Sequence, residues 1–152
     1  MKNIFEFVHE KIFDPLTGKE NSPISGTDIQ VVSGNTTTSA AGTFTLASFT
    51  VAPGQECIIG DVDFGAGSSA TAQVTLTYKN YLGTSVTITR AIFLAAGGYI
   101  NEEHDFDRRP FLAFYNPVVQ NNVVTVQLQV VSAASGVQYV GNMAYVVRSI
   151  SE

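Results

Sequence analysis

The chain has 152 residues and a formal net charge of −5 at pH 7, and only 14 % of its residues are charged, against roughly 25 % in a typical soluble domain. This length is sufficient for one domain that buries its own core. The few, scattered basic residues argue against a nucleic-acid partner, and no apolar run reaches the roughly 20 residues that a membrane helix requires.

Residues 1–26 are predicted to form an N-terminal arm and linker. Apolar residues recur there at helical spacing, and Asp14-Pro15-Leu16-Thr17-Gly18 ends the pattern. We expect a short helical or extended arm that packs either on its own domain or on a neighbouring subunit. The side chains expected to make this partner contact are Ile4, Phe5, Val8, Ile12 and Phe13.

The N-terminus does not have the pattern of a signal peptide, because Glu6 and Glu10 interrupt its apolar stretch. Cys57 is the single cysteine, so no disulfide can form within one chain, whereas small secreted domains often contain several. These features predict synthesis in the cytoplasm.

Residues 27–152 are predicted to form one all-β domain, a two-sheet sandwich of the jelly-roll kind. Apolar and polar residues alternate, and turn residues interrupt the pattern at intervals typical of a sandwich or barrel. Ile29 and Val31 share one face of the first strand, 34–42 reads as a loop, and the change of parity at Ala47-Ser48 indicates a β-bulge. The predicted strands are 27–33, 43–51, 55–64, 71–79, 85–94, 99–106, 110–115, 123–131 and 137–150.

Candidate chemical groups are few, and we assign no catalytic, cofactor-binding or metal-binding residue. His104 lies in an acidic segment where a metal site is conceivable, but a solvated segment paired with Arg108 or Arg109 is favoured. Asp61 and Asp63 are too few for calcium. Cys57 has no base near it in sequence, so the chain is not expected to be an enzyme or to need a cofactor.

Arg90 is unusual because it shares the parity of an apolar strand row. Either a bulge lifts it to solvent or a carboxylate pairs with it, since an unpaired buried charge is costly.

Two long segments, 29–55 and 110–147, contain no charged residue. Exposed sheet edges are commonly protected by Lys or inward-pointing charges, whereas these strands contain Thr, Gln and Asn. We therefore expect much of this surface to face other subunits. The alternative is a polar surface that is exposed to solvent and has no partner.

The arm with its Asp14–Gly18 turn, followed by a Thr-, Ser- and Gln-rich sandwich without enzyme motifs, resembles the head decoration (cement) proteins of tailed bacteriophages. The resemblance implies a structural virion protein that stabilises the head by bridging major capsid proteins. It also implies a homo-oligomer, with a trimer preferred, on the capsid surface.

Two further hypotheses belong to other classes. One is a carbohydrate- or receptor-binding β-sandwich of a viral fibre or spike, in which exposed tyrosines stack on sugar rings. The candidates for that role are Tyr78, Tyr81, Tyr99 and Tyr115. The other is a cupin-like metalloenzyme, against which the scarcity of histidine argues.

Overall fold

The computed structural model describes residues 28–67, 70–80, 82–94, 98–103, 106 and 109–150. Nine strands and one short 3₁₀ helix (Val118–Gln120) occupy this part of the chain. The strands are β1 (Gln30–Thr37), β2 (Gly42–Val51), β3 (Gln55–Ala66), β4 (Ala70–Lys79), β5 (Ser85–Leu94), β6 (Tyr99–Glu103), β7 (Leu112–Asn116), β8 (Val124–Ser132) and β9 (Gln138–Ser149). In these described residues no helix is long and apolar enough to cross a membrane.

The strands form two antiparallel sheets. One has the order β1-β9-β3-β6, with β7 also paired to β3, and the other has the order β2-β8-β4-β5. β6 pairs with 61–65 of β3 and β7 with 55–59, so the two together occupy the place of one strand. These two strand orders, with the β4–β5 hairpin inside one sheet, are those of a jelly roll, which is built from two Greek keys. The predicted all-β two-sheet sandwich is confirmed.

The core lies between the sheets and is made from alternate residues of each strand. In β4 and β8 the buried apolar positions are Ala72, Val74 and Leu76 and then Val124, Val126, Leu128 and Val130, as the period-two pattern predicts. Two stacked aromatic pairs lie in this core, one between the sheets (β2 to β9) and one between the neighbouring strands β3 and β9 of one sheet. Phe49 stacks on Tyr145 with ring centroids 3.7 Å apart, and Phe64 on Tyr139 at 5.9 Å.

The first strand differs from its prediction. β1 continues to Thr37, so four of the nine residues of the predicted loop 34–42 belong to this strand. Its parity also differs, because Val32 packs against the core while Val31 is 65 % exposed. Glycine and asparagine within 30–37 suggested a turn, but full pairing with β9 outweighs this local preference.

The predicted bulge in β2 is present, one residue earlier than expected. The register of β2 against β8 shifts between Thr45 and Ala47, which leaves Leu46 without a partner in the ladder. The Leu46 carbonyl oxygen lies so close to Gly34 of β1 that a Cβ at Gly34 would overlap it. The bulge and this glycine are therefore coupled, and they bring the edges of the two sheets together.

Candidate functional site

The outer face of the β2-β8-β4-β5 sheet is polar, and its one charged side chain among the described residues is the exposed Lys79 at the end of β4. We call it the threonine–glutamine face, because threonine and glutamine supply most of its residues. They are Thr43, Thr45, Ser48 and Thr50 of β2, Thr125, Gln127, Gln129 and Val131 of β8, Thr71, Gln73, Thr75 and Thr77 of β4, and Ser85, Thr87, Thr89 and Ala91 of β5.

The long side chains of this face hydrogen-bond to one another. The Gln73 amide donates to Gln129 Oε1 at 3.2 Å. Gln129 Nε2 in turn reaches Gln127 Oε1 at 3.3 Å and Thr45 Oγ1 at 3.4 Å. Because these amides bond along the sheet, much of their hydrogen-bonding capacity is already satisfied, which lowers the cost of covering them.

Thr75 lies near the middle of this face and is only 3 % exposed. Its Oγ1 is buried and has no hydrogen-bond partner within the described part of the chain. A buried hydroxyl of this kind is uncommon in folded proteins.

The neighbouring edges of the two sheets are uncharged. β1 and β2 are edge strands, and neither contains a charged residue. Charged residues and Pro normally protect an edge from pairing with another chain. Together with exposed Val31, these edges extend the uncharged surface around one side of the sandwich.

The outer face of the opposite sheet has a different site, a groove of about 320 Å³ that crosses its strands. Two rows of paired residues cross the strands here, Asn35-Val140-Gly65-Tyr99 and Ser33-Asn142-Asp63-Asn101, and all of them except Asn101 line the groove. Gly65 supplies no side chain, which leaves a depression between Val140 and Tyr99. We call this site the Tyr99 groove.

Tyr99 is 67 % exposed, and its position is fixed by Asp63. The Tyr99 hydroxyl donates to Asp63 Oδ1 at 2.9 Å, and Asn101 Nδ2 donates to the same oxygen. The hydrogen bond to Asp63, assisted by partial desolvation, raises the pKa of Tyr99, so its hydroxyl remains a donor at neutral pH. The ring is thus held along the sheet beside Gly65 with much of its surface exposed to solvent.

The predicted candidate residues do not form a site together. Cys57 is fully buried, and burial, with a smaller contribution from Glu56, raises the pKa of its thiol to about 12. Across the described ranges no group of three His, Cys, Asp or Glu residues could hold a metal ion. His104, Tyr81 and the arm residues Ile4, Phe5, Val8, Ile12 and Phe13 lie outside the described residues.

Arg90 is placed by contacts that its sequence pattern did not indicate. Its guanidinium lies 4.1 Å from the Phe111 ring centroid and donates to the Phe111 carbonyl oxygen. The residue is exposed because β5 is an edge strand. In the described part of the chain its contacts are therefore a carbonyl and an aromatic ring rather than a carboxylate.

A separate cross-strand ion pair joins Arg148 Nε to Glu56 Oε2 at 2.9 Å.

Of the tyrosines predicted to stack on sugars, Tyr99 fits that role best. Tyr78 packs partly against the core. Tyr115 is 36 % exposed and lines a smaller groove of about 190 Å³ with Ile88. Sequence analysis missed the neighbours of Tyr99, because strand pairing across the sheet is needed to bring Asp63, Asn101 and Gly65 beside it.

The chain matches no protein-family model, and no curated protein sequence is significantly similar to it. Several solved structures resemble it at low similarity. The VP2 subviral particle of infectious bursal disease virus matches over 88 % of this chain and 36 % of its own, with 18 % identity and a TM-score of 0.44. The tailspike protein 4 of bacteriophage CBA120 matches over 80 % and 20 %, with 14 % identity and a TM-score of 0.35.

A third match is the CBM22-1–GH10 part of Clostridium thermocellum xylanase 10B, in a complex with xylohexaose. It covers 83 % of this chain and 25 % of its own, with 12 % identity and a TM-score of 0.41. The chain thus spans about a third or less of the length of these proteins. The fold assignment above rests on strand order and not on these likenesses.

Proposed function

We propose that the chain is a structural subunit of a virus particle, a decoration (cement) protein on the capsid surface. In this proposal it forms a homo-oligomer, preferably a trimer, and bridges major capsid proteins. The observation that supports it most strongly is the threonine–glutamine face, which covers a whole sheet with a single charged side chain, Lys79 at one end of β4.

Energetics favour the use of this face in assembly. Burying an unpaired charge in an interface is costly, and the cores of protein interfaces are depleted in charged residues. Here that cost is small, because the only charged side chain of the face, Lys79, lies at the exposed end of β4. The amide network around Gln129 keeps its internal hydrogen bonds when the face is covered. Modest contacts repeated over many bridged copies add through multivalency.

Topology supports the same proposal, because jelly rolls recur in viral capsid and lectin domains.

We further propose that the role is not enzymatic. The buried Cys57 thiol has a raised pKa, so it supplies little thiolate at neutral pH, and the thiolate is the nucleophilic form.

Purification of the tagged protein from its native host under mild conditions tests this proposal. We expect it to elute with virus particles that carry many copies, visible by electron microscopy and quantified by mass spectrometry. Elution as free protein, with the virus particles lacking it, would contradict the proposal.

A further inference from the structure

We propose that the Tyr99 groove binds a neutral hexopyranose unit of an oligosaccharide, with the sugar ring stacked on Tyr99 and its hydroxyls bonded to Asp63 and the neighbouring amides. This inference does not depend on the proposed role in assembly. The groove is on the sheet opposite the threonine–glutamine face, so both surfaces can be occupied at once.

The shape of the site suits a pyranose ring. Gly65 leaves a depression beside the exposed Tyr99 ring, and Val140, which is 45 % exposed, forms the other side. The planar Tyr99 ring, held beside the depression at Gly65, offers apolar contact to the C–H face of a sugar. Because tyrosine has few rotatable bonds and this one is already held by Asp63, little conformational entropy is lost on binding.

The polar groups suit sugar hydroxyls. Both described donors to Asp63 use Oδ1, so Oδ2 is placed to accept hydrogen bonds from a ligand. Hydrogen bonds to an ionised acceptor are stronger than neutral ones. Asn142 and Asn35 border the same groove, and each side-chain amide offers both a donor and an acceptor, which matches neighbouring hydroxyls on a pyranose.

Electrostatics select against acidic sugars. Asp63 is in the groove, Asp61 is two residues away on the same strand, and the whole chain is acidic. None of the groove residues is basic. A uronate or sialate would place its carboxylate beside Asp63 without a compensating cation, so the expected ligand is uncharged.

The test is binding of the intact chain to a glycan array, followed by calorimetry or NMR titration with galactotriose, cellotriose, maltotriose, triacetylchitotriose and an oligogalacturonate. We expect at least one neutral oligosaccharide to bind, with a Kd between about 10 µM and 10 mM, and the oligogalacturonate not to bind. Tyr99→Ala should weaken binding by about tenfold or more, because the stacking platform is lost. Asp63→Asn should weaken it by a similar factor.

Tyr115→Ala is the matched control, since it removes an exposed tyrosine outside the Tyr99 groove, and it should leave the Kd unchanged. Gly65→Leu, which fills the depression, should abolish binding while circular dichroism confirms the fold. The proposal is overturned if no neutral glycan binds, if Tyr99→Ala and Gly65→Leu both bind normally, or if the acidic oligosaccharide binds equally well. None of these outcomes affects the assembly proposal, which is tested separately by association with virus particles and by oligomeric state.

Discussion

Several buried polar side chains determine how the loops of this domain are held, and sequence patterns gave no sign of them. Asn116 Nδ2 donates to the Val51 carbonyl at 3.0 Å and to the Asn122 carbonyl at 2.9 Å. Thr38 Oγ1 donates to the Ala134 carbonyl at 2.7 Å. Each of these two side chains joins segments that are far apart in the chain. Local sequence periodicity therefore predicts only a turn or loop residue at these positions.

Cys57 provides a prediction at the same scale. Burial, with a smaller contribution from Glu56, raises the pKa of its thiol from 9.0 to about 12. Below about pH 9 the thiol is protonated in both the folded and the unfolded chain, so it does not change the free energy of unfolding. Between about pH 9 and pH 12 only the unfolded chain loses this proton, so the free energy of unfolding declines as the pH rises. Urea unfolding at about pH 8 and about pH 10.5 should show a larger loss of stability for the native chain than for Cys57→Ala. Equal losses in the two proteins would show that the thiol is not protected by burial.

At the scale of elements, the sequence predicted the inner strands of the sheets well and the edge strand β1 less well. The clean alternation of β4 and β8 predicts both the strand and its buried face, because one row meets the core and the other does not. β1 has a weaker pattern, and its actual parity depends on pairing with β9. The arm of residues 1–26, with its expected contacts, lies outside the described residues and stays a prediction.

The contact between the β1 and β2 edges can be tested through glycine. Gly34→Ala would place a methyl group on the Leu46 carbonyl oxygen, so we expect it to lower the free energy of unfolding by about 2–3 kcal/mol. The matched control is Gly67→Ala, because a Cβ there meets nothing closer than 3.9 Å. Chemical denaturation of both variants measures the difference. Equal, small effects would mean that the two edges do not approach as described.

At the scale of the whole molecule, the sequence predicted a two-sheet sandwich but not the neighbours of each strand. A period-two pattern tells which side chains point inward, whereas strand order depends on long-range packing. The Tyr99 groove depends on that order, since β6, β3, β9 and β1 each contribute to it. The uncharged strands β1, β2 and β8, in contrast, were predicted from sequence, because the absence of charge over 29–55 and 110–147 needs no structure to be seen.

The central claim is that the threonine–glutamine face is an interface between subunits, and sedimentation velocity tests it most directly. At about 100 µM the native chain should sediment as an oligomer, with a trimer preferred. Gln127→Lys places a charge in the middle of the face and should shift the protein to monomers. Val119→Lys, at a side chain that is 88 % exposed outside the face, should remain oligomeric. A native chain that sediments as a monomer, or a Gln127→Lys variant that assembles as the native chain does, would contradict the account.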